Sequence, residues 1–305
     1  MRSPVTALGQ LLKLPEFDPP EGRWLHLPRR GRVWLTDLPG PTPDAQAVVL
    51  LHAVGCTGLL TWFPVIEELN KRYRVVIFDQ RWHGRGITSE RFLISDCADD
   101  AAAVIDALEL VDPIVAGFSM GSIVAQRLWR QHPDAVGGLV LCATTDHFRN
   151  NPPEIVFHAH MELMMGVLHS LARSKMLGSA AKATAGALRI EATDVGQWAL
   201  AEFRSTNPWA VGQAVASLGR FHSTPWLPHI DVPTAVVVTT RDHVLPPSRQ
   251  LKVASLIPNS TVHEAACGHA GCVLQAEAFV PPFLQAVNTT AARVRDRQLA
   301  RTGAT

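Results

Sequence analysis

Apolar positions along this chain recur in two rhythms. The alternating runs "RWLHL" and "GRVWLTD", bracketed by the turn signals "DPPEG" and "PRRG", predict an opening hairpin, followed by the proline-rich loop "LPGPTPDAQ". "AVVLLHAVG" is then a continuous apolar run, short and β-branched, as in a strand buried on both faces. From there strand-like and helix-like stretches alternate. "GLLTWFPVIEELNKR" predicts a helix, "YRVVIFD" a strand, and "SDCADDAAAVIDALEL" an amphipathic helix capped by Ser95 or Asp96. "DPIVAGFS" predicts a strand, "GSIVAQRLWRQHP" a helix stopped by Pro133, and "VGGLVLCAT" another strand. Such alternation implies right-handed crossovers and a mainly parallel sheet covered by helices.

The alternation stops after Thr145. From Asp146 to Pro225 the chain is helical in tendency, rich in Ala, Met, His and Trp, and without strand runs. It resumes with "VPTAVVVTTRDHVLP", "PSRQLKVASLIP", "STVHEA" and a closing helix "GCVLQAEAFVPPFLQAV". The division expected is a core in two parts, residues 1–145 and 226–305, the second with a basic tail, and a helical lid inserted at 146–225. Such a lid would lie over the carboxyl edge of the sheet, where open α/β sheets bind ligands. The chain shows no internal repeat.

Composition narrows the partners. The chain has 305 residues, 47% of them hydrophobic, and a net charge of +1. That charge gives no electrostatic case for nucleic acid or an anionic membrane. The basic stretch "RVRDRQLART" is expected to be a solvated helix end or a frayed terminus. Five cysteines without a CxxC pair argue against a disulfide framework and structural zinc, and fit a reducing compartment. Cys267 and Cys272 flank His269, where free thiols are expected rather than a bridge. The first twenty residues do not read as a secretory signal, and no stretch approaches the ~18 uninterrupted apolar residues of a membrane span. The default location is cytoplasmic.

The chemistry centres on "VAGFSMGS". "GFSMG" has the G-x-S-x-G form, with Gly117 and Gly121 leaving room for a sharp strand-to-helix turn that exposes Ser119. A serine hydroxyl needs an adjacent base, and the base an orienting acid. His269, in the loop after "STVHEA", is the candidate base. Asp242, just beyond "VVVTT", is the candidate acid, with Asp146 as its rival after the sixth strand. An oxyanion needs two donors: the N–H of Met120 and one from "HAVGCTG", with Val54 preferred over Ala53.

The stretches "LLHAVG", "VVIFDQRWHGRG", "GFSMGS", "TTRDHVLP" and "GHAG" together resemble the α/β-hydrolase superfamily, of the lid-bearing esterase, lipase and C–C hydrolase type. The resemblance covers most of the chain from Val48 onward, apart from the lid. It implies a mostly parallel eight-stranded sheet flanked by helices with an inserted helical lid, and a chemistry without metal or cofactor. Two departures stand out. Ala53 follows His52 where the family usually reads His-Gly, which restricts the backbone there. Trp82 replaces a glycine, which would put an indole near the rim of the site, either restricting the substrate or packing under the lid.

Other polar and aromatic residues have ordinary readings. His52 and His83 are expected to brace loops, and the pair His158 and His160 to lie on a surface helix rather than hold a metal. The methionines of "MELMMG" fit an acyl pocket and plain lid packing equally. Met161 and Met164 join Ala53 and Trp82 as substrate-binding candidates, while Trp198 and Trp209 stay open. The expected function is a serine hydrolase acting on small-to-medium apolar carboxylic esters, its partner a small ester or acyl substrate. A C–C hydrolase, an acyltransferase, or a cofactor-free perhydrolase or haloperoxidase would use the same three residues. The contrasting class is a ligand-binding member of the fold without turnover.

Overall fold

A computed structural model describes residues 17–173 and 195–302. Most of the N-terminal stretch read against a signal, and part of the expected lid, lie outside the described residues. The chain opens with the antiparallel strands β1 (Arg23–Leu27) and β2 (Gly31–Leu38). It continues through β3 (Ala47–Leu51), helix α1 (Gly58–Asn70), β4 (Arg74–Phe78), α2 (Ile94–Ala107), β5 (Ile114–Phe118), α3 (Met120–Gln131) and β6 (Gly138–Cys142). Helices α4 (Pro152–Arg173), α5 (Val195–Arg204) and α6 (Pro208–Leu218) intervene before β7 (Thr234–Thr239), α7 (Pro247–Leu256), β8 (Thr261–Ala265), α8 (Gly271–Leu274) and α9 (Ala276–Thr302).

The eight strands form one sheet in the order β1-β2-β4-β3-β5-β6-β7-β8. β3 through β8 pair in parallel and the N-terminal hairpin adds antiparallel neighbours. The winding direction reverses at β3, which sits between β4 and β5. Such a switch point opens a crevice beyond the carboxyl ends of the flanking strands.

Strand periodicity sorts the core onto the two faces of the sheet. Val49 and Leu51 of β3 face α2 and α3, beside Val115, Ala98, Val104 and Ile123. Val48 and Leu50 face the opposite side, beside Trp62 and Leu69 of α1 and Phe279 and Phe283 of α9. Both faces are covered, so the central strands carry unbroken apolar runs rather than alternation. Among the described residues no helix is long and apolar enough to cross a membrane.

Two element ends differ from the sequence expectation. α2 is capped by neither Ser95 nor Asp96. Its N-cap is Leu93, whose side chain makes no capping bond. The Ile94 N–H is instead satisfied at 3.3 Å by the Ser217 hydroxyl of α6, a partner remote in sequence. The closing helix is longer than its apolar pattern, because α9 continues through "RVRDRQLART" to Thr302. Arg297 there bonds the Asp231 carbonyl at 3.1 Å and Gln298 the Asp112 carboxylate at 3.0 Å, which ties the basic end to the body of the protein. All five cysteines are free thiols, Cys267 and Cys272 included.

Candidate active site

Ser119 stands between β5 and α3 with φ 51° and ψ −116°, a left-handed conformation costly for a side-chain-bearing residue. Two close approaches impose it. A Cβ on Gly117 would stand 2.2 Å from the Gly121 carbonyl oxygen, and one on Gly121 2.0 Å from that of Leu51 in β3. Only hydrogens fit, so strand and helix meet backbone to backbone. The Ser119 N–H is held by the Cys142 carbonyl of β6 at 3.0 Å, and the Ser119 carbonyl accepts the Ser122 hydroxyl at 2.7 Å. The residue is 7% exposed.

The Ser119 hydroxyl lies 2.9 Å from His269 Nε2, and His269 Nδ1 lies 2.7 Å from Asp242 Oδ2. A carboxylate on Nδ1 fixes the tautomer with the proton there, leaving Nε2 as the acceptor facing the serine. Asp242 is itself held by four groups. Its Oδ1 accepts the N–H groups of Val244 (2.8 Å) and Leu245 (2.9 Å), and its Oδ2 also accepts the Thr239 hydroxyl (2.8 Å). Burial pushes the Asp242 carboxyl up, but these donors together with His269 outweigh it and hold it below the ordinary carboxylate value.

Asp146 lies in a different network. Its Oδ2 accepts the Thr224 hydroxyl at 2.6 Å and pairs with Lys252 at 2.7 Å and His147 at 3.0 Å. Its carbonyl takes the Ser223 N–H at 2.8 Å, and His147 bridges to His222. The residue therefore clasps the two ends of the helical segment between β6 and β7.

In the loop after β3, the Ala53 N–H donates to the Thr61 hydroxyl at 3.3 Å. His52 braces this loop, as expected. Its Nε2 accepts the Gln80 N–H, its Nδ1 donates to the Ala53 carbonyl and its carbonyl accepts Gln80 Nε2, each at 2.8 Å. His83 packs 5.1 Å from the His52 ring and donates Nδ1–H to the Arg81 carbonyl at 2.9 Å.

The remaining substrate-binding candidates divide. Trp82 does not project freely from a rim. Its backbone is left-handed (φ 64°), which explains why a glycine suits this position, and its indole donates to the Ser89 hydroxyl at 3.1 Å and packs on Phe92 and the core. Met161 is half-buried and Met164 exposed. The inward methionine of this helix is Met165, whose sulfur meets Gly212 of α6. His158 is likewise turned inward against Phe148 and Gly219, so the expectation of a surface position holds for His160 alone. Among the described residues no cluster could hold a metal ion. Trp198 meets Phe63 edge to face and lies tilted against Phe17, and Trp209 is half-buried at the start of α6.

Three supporting residues escape a reading of the sequence. Thr239 anchors Asp242, and Gln250 anchors Thr239 from α7 at 2.8 Å while bonding the Leu245 carbonyl at 2.7 Å. Gln275 accepts the Gly268 N–H at 2.7 Å beside His269. Only Gln250 carries a local hint, as an amide on the buried side of an amphipathic helix.

Comparison with known proteins bears on the fold that carries these residues. The model of the family described as alpha/beta hydrolase fold matches residues 46–276. A candidate carbamate hydrolase, RutD, from Caulobacter sp. (strain K31) is 28% identical over 261 residues, 83% of this chain and 94% of its own. A pimeloyl-[acyl-carrier protein] methyl ester esterase from Chromobacterium violaceum is 27% identical over 267 residues, 83% of this chain and 97% of its own. Among solved structures, the esterase EaEST from Exiguobacterium antarcticum superposes with a TM-score of 0.69 at 19% identity, covering 88% of this chain and all of that one, a likeness of fold.

Two predictions follow from the packing of this turn and its neighbouring loop. Gly121→Ala drives a methyl into the Leu51 carbonyl, so the variant is expected to lose activity and melt well below the parent in a thermal scan. An unchanged melting temperature would contradict the close approach. Separately, burial lowers His52 from 6.5 to about 4, and burial with the neighbouring His52 lowers His83 to about 3. The unfolded chain therefore binds protons that the folded one refuses below pH 6.5. Stability should be complete above 6.5 and fall toward pH 4 by roughly 1.4 kcal/mol per pH unit for each histidine. Denaturant titrations across that range should show a shallower slope in His83→Phe.

Proposed function

The chain belongs to the α/β-hydrolase fold family, and from that premise we propose that it is a serine hydrolase cleaving small-to-medium apolar carboxylic esters by acyl transfer. The observation that carries this reading is the unbroken hydrogen-bond line from the Ser119 hydroxyl through His269 to Asp242. The names of the relatives, a carbamate hydrolase and a methyl ester esterase, support attack on a carbonyl that bears a heteroatom leaving group.

In this reading His269 Nε2 takes the Ser119 proton as the oxygen attacks the ester carbonyl. Asp242 stabilises the imidazolium so formed. The N–H groups of Met120 and Val54 receive the oxyanion. Met120 begins α3, so its N–H belongs to the first turn, where no carbonyl of the same helix reaches it. Val54 is preferred because the Ala53 N–H already donates to Thr61. His269 then protonates the leaving alcohol, and a water activated by the same nitrogen releases the acid. The helices α4, α5 and α6 act as a lid between the two parts of the core, and the half-buried Met161 is the better placed of the two methionine candidates to meet an acyl chain.

Ser119→Ala is expected to lower kcat by about six orders of magnitude on p-nitrophenyl butyrate and to abolish fluorophosphonate labelling. A variant that still turns over near the parent rate would refute the assignment. Asp242→Asn keeps the shape but favours the wrong imidazole tautomer, so a loss of about 10⁴ in kcat is expected. A loss of tenfold or less would show that the carboxylate is dispensable.

A further inference from the structure

Helix α5 reaches the loop after β3 through the carboxylate of Glu202. Thr57 is the N-cap of α1, its hydroxyl accepting the Leu60 N–H at 3.1 Å. The same hydroxyl donates its proton to Glu202 Oε2 at 2.5 Å. Glu202 lies 145 residues away in sequence, within the helical insertion. Its side chain is 16% exposed and its other oxygen lies 3.7 Å from Arg85. Arg85 in turn lies 3.7 Å from Asp79, whose Oδ1 accepts the Gly58 N–H in the first turn of α1 at 2.9 Å. One turn beyond Glu202, the Thr206 hydroxyl accepts the Gly84 N–H at 3.1 Å.

These contacts converge on the first turn of α1, and that turn sets the neighbouring loop. Thr61, in this turn, holds the Ala53 N–H, and Ala53 immediately precedes Val54. The hydrogen-bond path from the α1 N-terminus thus runs through Thr61 to Ala53, next in the chain to Val54. We propose that Glu202 is a positioning residue: by accepting the Thr57 hydroxyl from the insertion side, it locks the loop at 52–57 in the geometry that presents the Val54 N–H to the oxyanion. The inference rests on the serine-hydrolase reading above and extends it by giving the insertion a part in the chemical step. Substrate binding need not feel this contact, because the oxyanion exists only on the way to and from the tetrahedral intermediate.

The test is steady-state hydrolysis of p-nitrophenyl butyrate by Glu202→Ala, Glu202→Gln and Glu202→Asp, with thermal melts and inhibition by a trifluoromethyl ketone, which forms a tetrahedral adduct. Glu202→Ala is expected to lower kcat by roughly tenfold to a hundredfold with KM nearly unchanged, and to weaken the ketone by a comparable factor. Glu202→Gln retains an oxygen acceptor for Thr57 and should stay near the parent kcat. If Glu202→Ala does not fold, Glu202→Asp, which withdraws the carboxylate by one methylene, carries the same expected loss. Parent-like kcat in a folded Glu202→Ala variant overturns the proposal, as does a loss confined to KM or to melting temperature. A parent protein that hydrolyses the ester and labels at Ser119 with fluorophosphonate keeps the serine-hydrolase reading intact under any of those results. A parent that does neither removes that reading itself.

Discussion

Where α3 leaves β5, the backbone of Gly121 runs against the Leu51 carbonyl at a distance that excludes even a methyl group. This contact holds two neighbouring parallel strands and one helix N-terminus together without intervening side chains. It forces Ser119 into a left-handed conformation, and the surrounding sheet holds it there through the Cys142 carbonyl. Strain of this type persists only where its environment over-determines it. The apolar runs on both faces of β3 and β5 provide that environment, since neither strand can shift without opening a packed layer.

The same edge of the sheet carries two buried acids with different fates. Asp242 and Asp146 both follow strand ends, and either could serve a histidine by position in the chain. Asp242 sits in a turn whose N–H groups fill one carboxylate oxygen, leaving the other for Thr239 and His269. Asp146 is occupied by Lys252, Thr224 and His147, and its carbonyl joins the start of the insertion to its end. Which acid meets the imidazole is decided by which hydrogen-bonding groups each turn presents.

The helical segment between β6 and β7 has its two ends joined to each other through Asp146 and Ser223, and Lys252 of α7 pairs with Asp146 there. The segment is bound again beside the β3 loop through Glu202 and Thr206, and along α2 through Ser217. Each contact is polar and local, and each satisfies a backbone or hydroxyl group that would otherwise lose a partner on burial. The insertion thus takes part in the hydrogen-bonding of the loops that surround Ser119.

Much of this protein is written in its sequence. Apolar runs of strand length alternating with amphipathic stretches specify a parallel sheet with covered faces, because periodicity reports burial directly. Two glycines around one serine, and the chain order of serine, acid and histidine, mark the turn and its candidate partners. Partners across space are not written there. Leu93 rather than Ser95 or Asp96 caps α2 because a serine from another helix reaches Ile94. Trp82 turns onto Phe92 because that neighbour is buried beside it, and Met165 rather than Met161 or Met164 faces inward because α6 lies against it. Thr239, Gln275 and Glu202 are unremarkable in their own stretches and acquire a role only from what stands opposite. A residue's rhythm is a local property, whereas a hydrogen bond belongs to two groups that the fold has to bring within about 3 Å.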